Sequence, residues 1–408
     1  MIGTYAKQLV RIAMKAMAAP HRRRFLRLLA GTLLASSWPA RGSDVRGRPL
    51  RIGLSLGLTG TYAHDSEMQM LGYRLWADEL DPRGGMLGRN VELVVHDDRG
   101  DPARARELYE ALIERDNVDL LLAPFSSPIT FAVAPVAERH GYPLLAAGAA
   151  SDEIWKQRYR YIFAMIPPAS RQTIGFLALL AEARIATLAL VHTENVYATA
   201  LAAGTQKWAP ELGIRIVSVQ KTAAPSGDFE AAARTAREAG ANALLMAGHF
   251  DESVAMRRAL KRIGWRPSAF LATVGPTLDR YATELAGDEE GVFSTSTWEA
   301  TSALPMRGSR EFIRAFKGRF DRTPSFIAAQ AYAAGQVLEA AIQRSASLDR
   351  AVLRDTLARL DHETVIGRFV VDQTGMLTRR NALIIQWRKG QREVVWPPEV
   401  RTAYPEVG

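Results

Sequence analysis

An α/β chain folded as two doubly wound, parallel-sheet lobes is what this 408-residue sequence predicts. From Pro49 onward, apolar runs of strand length alternate with stretches of helical periodicity, the pattern of a parallel sheet covered by helices. That alternation comes in two successive blocks, each about 120 residues long, enough for one sheet and its helices. The mix of 48% hydrophobic and 23% charged residues suits a soluble globular chain with room for two or three cores.

The first block opens with strand-like runs at 52–58, 91–96, 118–125 and 142–147, separated by helical stretches at 66–80, 102–115 and 128–140. Gly84, Gly85 and Gly88 mark the turn before the second strand. In the second block, strands are expected at 187–192, 214–220, 243–247 and 269–273, followed by another at 291–296. Helices are expected from about Tyr197, over 229–239 behind Asp228 as cap, and over 252–263. The tail differs. Residues 327–345 and 348–360 read as helical, whereas 369–372, 382–386 and 393–395 read as short antiparallel strands broken by Gly375 and Gly390. There is no short-period repeat and no Pro/Gly/Ser tether, so several short crossovers are expected to join the lobes.

The net charge of +9 is concentrated at one end. Residues 1–43 hold eight positive side chains and no acid, which leaves the remainder at +1 and gives little support to a nucleic-acid surface. Within that basic end, the segment His21 to Arg27 resembles a twin-arginine export motif with Arg22 and Arg23 as the pair. The uncharged run Leu28 to Trp38 follows, too short to span a membrane and suited to a signal-peptide core. Cleavage is expected between Ser37 and Ser43, and Met17 offers a more typical start. With no cysteine, a disulfide framework, a thiol nucleophile, a cysteine-bound metal and a lipid-anchoring cysteine are all excluded.

Several segments, taken in order, resemble one family. They are Arg51 to Gly60 as a first strand and its small-residue turn, Gly84-Gly85-Met86-Leu87-Gly88, His96-Asp97-Asp98 with Asp101-Pro102, Ser126-Ser127, Ala149-Ala150-Ser151, and His192 to Tyr197. This order resembles the periplasmic binding proteins of the leucine/isoleucine/valine-binding type, from about Arg48 to Trp387. The resemblance implies two lobes joined by three crossovers that close on one small molecule, and an ABC permease in the inner membrane as partner. It also implies a periplasmic, monomeric binding protein with no cofactor. On this basis residues 1–43 form the signal, 48–166 with 298–362 one lobe, and 167–297 with 363–400 the other.

Residue by residue, Ser126 matches a serine that holds the ligand carboxylate. It follows a strand and precedes a helix, where free N–H groups and the helix dipole favour an anion, and its ordinary role would be an N-cap. Ala149 and Ser151 match a second carboxylate loop, with a plain turn as the alternative. Tyr197 matches a cleft tyrosine, and His249 falls where the family carries a second cleft aromatic, with Phe250 beside it. Each has a packing role as its alternative. The family's acid that pairs with the ligand ammonium is missing from Ala272 to Pro276. Either another acid substitutes, Asp65 or Asp251, or the ligand lacks that amine. Asp65 itself sits where the family often has an aromatic in the first-strand loop. Trp298 is a candidate pocket wall, with core packing as the alternative.

Other functions fare less well. Gly53-Leu54-Ser55-Leu56-Gly57 fits the G-x-S-x-G expression of serine hydrolases, but Ser55 lies inside the expected first strand, not on a sharp strand-to-helix turn. His96, Asp97, Asp98 and Asp101 lack the further spaced ligands of a metal site. No phosphate-binding glycine loop and no H-E-x-x-H pair occurs. The sequence expectation is therefore a transport receptor and not an enzyme. A sensor of the same fold is the second reading, and a hydrolase at Ser55 a remote third.

Overall fold

The computed structural model describes residues 47–223, 227–301, 304–378 and 380–408. The export-signal reading, with Arg22, Arg23 and the cleavage bond, falls outside the described residues.

In the first lobe, strand β1 (Leu50–Leu56) is followed by helix α1 (Ala63–Leu80), β2 (Val91–Asp97), α2 (Pro102–Glu114) and β3 (Leu120–Leu121). Strands β2 and β3 flank β1 on either side, both parallel to it. Helix α2 begins where it does because Asp101 accepts a hydrogen bond from Arg104 N at 2.9 Å and Pro102 fixes the first turn. The chain continues through α3 (Ser127–His140), β4 (Leu144–Ala146), the single turn α4 (Glu153–Lys156) and β5 (Ile162–Ala164). A parallel bridge between Phe125 and Gly148 carries the sheet on from β3 to β4, which pairs in parallel with β5. The strand order is thus 2-1-3-4-5.

The second lobe repeats that order. Its elements are α5 (Ile174–Glu182), β6 (Thr187–Thr193), α6 (Val196–Glu211), β7 (Arg215–Thr222), α7 (Phe229–Glu238), β8 (Ala243–Ala247), α8 (Phe250–Arg262), β9 (Ala269–Ala272), α9 (Arg280–Leu285) and β10 (Phe293–Ser296). Asp228 caps α7 as expected, accepting from Ala231 N at 2.8 Å. The chain then returns to the first lobe with α10 (Ser309–Phe320), α11 (Phe326–Ser345), α12 (Arg350–Ala358) and the hairpin β11 (His362–Thr364) and β12 (Gly367–Phe369). It finally adds β13 (Leu383–Arg388) and β14 (Gln391–Trp396) antiparallel at one edge of the second sheet. That sheet reads β14-β13-β10-β9-β8-β6-β7.

Two features of the tail differ from expectation. The strand expected at 369–372 is instead the end of the β11–β12 hairpin, and Val371 makes only an isolated bridge to Leu377. Residues 363–378 lie beside the first sheet: Val365 N donates to Gln336 Oε1 on α11, and Gly375 O accepts from Ala164 N of β5. Both contacts bury backbone groups that need partners, which holds this stretch to the first lobe and moves the last passage between lobes past Phe369.

Helices α1 and α11 cover one face of the first sheet and cross closely. A Cβ added at Gly335 of α11 would stand 2.2 Å from Trp76 Cδ2 of α1, whose indole is fully buried. Only glycine lets the indole lie flat against that backbone. Gly335→Ala is therefore expected to destabilise the fold by ~1–3 kcal/mol through overpacking. The readout is a lower urea midpoint at unchanged slope. An unchanged midpoint would mean that Trp76 swings aside without cost.

Candidate functional site

Parallel sheets present ligands with the loops at the carboxyl ends of their strands. Here those ends face one another across a cleft with about 560 Å³ of space free of protein atoms, part of it open to solvent. A concave space walled by rings with a few polar groups is the usual form of a small-molecule site. Phe125, Ser126 and Gly148 wall it from the first lobe, and Tyr197, His249 and Val274 from the second. A Cβ at Gly148 would stand 2.7 Å from the Phe125 ring, so that wall depends on a glycine. Among the described residues that line the cleft, none is Asp, Glu, Lys or Arg.

Ser126 sits at the N-cap of α3 with extended backbone, yet its side chain makes no cap bond. Its hydroxyl is buried without a hydrogen-bond partner. The Tyr62 phenol is near enough for Ser126 to offset part of the upward push that burial gives it, but no regular hydrogen bond joins the two. The capping role expected for Ser126 as its ordinary alternative is therefore unfilled. A free hydroxyl stands beside the positive end of a 14-residue helix. Ser127 works differently: its Oγ accepts from Ala150 N at 3.0 Å and Ser151 N at 3.1 Å.

A row of rings crosses the cleft. Tyr62 meets Phe125 edge-on at 5.7 Å between centroids and His249 tilted at 5.2 Å, and His249 meets Tyr197 at 5.8 Å. Two rings come from each lobe, so the row joins the lobes as well as lining the space. Burial pushes the His249 imidazole down to about 4, so it is neutral at pH 7. Burial pushes the Tyr197 phenol up to about 12, and its hydroxyl donates to Gln172 Oε1 at 3.2 Å.

The structure brings Ser126, Tyr197 and His249 to the cleft wall; the other expected residues lie elsewhere. Ala149 is buried behind it, and Ala150 lines the space instead. Ser151 donates to Val196 O across the lobes at 2.9 Å, and its N–H is held by Ser127, so that loop offers a solute neither group. Asp65 is buried on α1 outside the lining. Asp251 is exposed on α8. Phe250 packs against Tyr281 and beneath the Arg280 guanidinium, 3.3 Å from its ring centroid. Trp298 is fully buried core, edge-on to Phe312 with its indole N–H donated to Ser309 Oγ. Ser55 lies within β1 and donates to Asp98 at 2.6 Å.

Lining residues that the sequence did not single out include Gln172, Thr297, Phe326 and Gln330, with Tyr62 beside them. Tyr62 had a signal: it is the aromatic of the first-strand loop, three residues before Asp65. The others lie on crossovers and on α11, whose role no local motif announces. Away from the cleft, Glu110, Glu114 and His140 bring one ligand atom each within 4.8 Å of one another, with Glu110 already engaged by Arg139 and His140.

Two lobes of one strand order, facing across a cleft, define the class: a bilobal solute-binding protein. The family model for periplasmic binding proteins matches residues 49–392, and the chain belongs to that family. Among its relatives is the "Leucine-, isoleucine-, valine-, threonine-, and alanine-binding protein" of Pseudomonas aeruginosa. It is 24% identical over 342 residues, which cover 83% of this chain and 90% of the relative. The fold matches the isoleucine-bound LivJ of Streptococcus pneumoniae with a TM-score of 0.76 at 21% identity, over 85% of this chain and 98% of that one. It matches a benzoate-bound solute-binding protein of R. palustris with a TM-score of 0.75 at 19% identity, over 85% and 95%.

The buried Asp65 gives a pH test. Burial raises its carboxyl to about 7, with Arg280 lowering it and Asp251 raising it, against an ordinary 3.8. The folded chain therefore holds this proton more tightly than the unfolded one. The stability it contributes is full below about pH 4 and is lost as pH rises through 7. Asp65→Asn cannot ionise. Its melting temperature relative to the parent is expected to climb from pH 4 to pH 8; a constant difference would show that burial does not raise the Asp65 carboxyl.

Proposed function

We propose that this chain is the substrate-binding component of an ABC importer in the periplasm, capturing one small carboxylate-bearing solute by lobe closure and delivering it to a membrane permease. The observation that carries the reading is Ser126: a buried hydroxyl with no protein partner, at the N-terminus of a long helix, in the wall of a solute-sized cleft. A carboxylate satisfies that hydroxyl and the free N–H groups of the first turn of α3 together. Family membership supports the transport role. The ligands of the two structural neighbours support the chemistry: isoleucine and benzoate share little except a carboxylate. Tyr197 and His249, with Tyr62, form the aromatic wall, and Gln172 holds Tyr197 in place.

Closure is then a matter of the solute bridging the lobes. It meets α3 of the first and the His249 and Tyr197 rings of the second, and the closed pair is the form a permease distinguishes from the open one. Ser126→Ala is expected to weaken binding of a carboxylate by ~1–3 kcal/mol, read by isothermal titration, with the unliganded melting temperature nearly unchanged. An unchanged dissociation constant would remove Ser126 from the site.

A further inference from the structure

The wall opposite Ser126 holds a backbone outlier. Val274 has φ +60° and ψ −64°, and Gly275 N donates back to Thr273 O at 2.7 Å, a γ-turn. Positive φ is uncommon for any side chain and strained for a β-branched one. Neighbouring bonds hold the turn: Thr277 donates to Val274 O through its N–H and its hydroxyl, and Ser253 Oγ donates to Thr273 O at 2.7 Å. Strain of this kind persists where surrounding structure over-determines it, and it gathers at ligand sites. Its consequence here is that an apolar, unionisable side chain stands in the cleft wall where the chain leaves β9.

We infer that the cleft selects carboxylic acids that carry no amino group, and that Val274 is the residue that enforces the choice. This rests on the carboxylate reading above. A primary ammonium brought into the cleft would meet no counter-charge among the side chains that line it. No lining residue is acidic, and His249 is neutral. Of the neutral acceptors, Gln172 Oε1 already accepts from the Tyr197 hydroxyl and Thr297 Oγ1 from the Gln330 amide, and a neutral oxygen supplies no counter-charge. A buried charge without a partner is strongly unfavourable. An apolar body is welcome instead: Phe125, Ile166, Val274 and Phe326 supply apolar wall around it. The solute class is therefore an aliphatic or aromatic monocarboxylic acid, held by its anion at Ser126 and excluded if it bears a cation at the other wall.

The test compares solutes that share a skeleton. Leucine and 4-methylpentanoate differ only in the α-ammonium, as do phenylalanine and 3-phenylpropanoate; 4-methylpentanamide removes the anion instead. Titrated against the parent protein, the acid of at least one pair should bind about 30-fold or more tighter than its amino acid. Val274→Asp should invert that order, and Val274→Asn, equally polar but uncharged, should not. Melting curves show whether both variants fold. Should either fail, the parent's own ranking of each acid against its amino acid still decides the selectivity. Amino acids binding as tightly as their acids, with Ser126→Ala weakening both, would overturn this inference and leave the carboxylate site standing. Amides binding as tightly as acids, indifferent to Ser126→Ala, would overturn the carboxylate reading beneath it. Equal binding of glycine betaine would show the rings accepting a cation and sink the inference. So would no binding by any acid from acetate to 3-phenylpropanoate at millimolar concentration.

Discussion

Closing two lobes on a solute takes both walls out of water, and any charge left inside without a partner then costs far more than it did in the open cleft. The composition of this cleft follows that constraint. Its lining is hydroxyls, amides, rings and aliphatic side chains, with the one imidazole held neutral by burial. The electrostatic asymmetry that remains comes from the fold itself. Helix α3 points its unfilled first turn at the cleft, and the cap that would ordinarily satisfy that turn is left open at Ser126. An anion can replace water there with little loss, and a cation cannot.

The strand order places this arrangement. Both sheets run 2-1-3-4-5, so each turns its carboxyl ends, and the loops that follow them, toward the other. Ser126 follows β3, His249 follows β8 and Val274 follows β9, and the ring row from Phe125 to Tyr197 spans the gap. Away from the cleft the packing is tight enough to hold these loops in position: α1 and α11 meet at Trp76 and Gly335 with no room for a methyl group. The γ-turn at Val274 is tolerated for the same reason, since Thr277 and Ser253 fix the peptide groups on either side of it.

Much of this was legible in the sequence because it is periodic. The strands at Val91–Asp97, Thr187–Thr193 and Ala243–Ala247 and the caps at Asp101 and Asp228 announce themselves by local pattern. Elements without a period did not. Helix α5 is apolar on every side, so no face stands out, and β5 is three residues long. Of the candidate residues, Ser126, Tyr197 and His249, which each follow a strand, lie in the cleft wall. Residues read for their chemistry alone lie elsewhere in the fold. Trp298 is fully buried and edge-on to Phe312, and Asp65 is buried on α1. Phe326 and Gln330 reach the cleft only through tertiary folding, which no spacing in the chain encodes.

The central claim is that an anion without a cation of its own is what this cleft retains. The direct measurement is native mass spectrometry of the protein, stripped of solute by unfolding and refolding, then mixed with equimolar amino acids and small carboxylic acids. Retention of a single acid free of basic nitrogen, weakened by Ser126→Ala, is the predicted result. Retention of an amino acid would contradict the account.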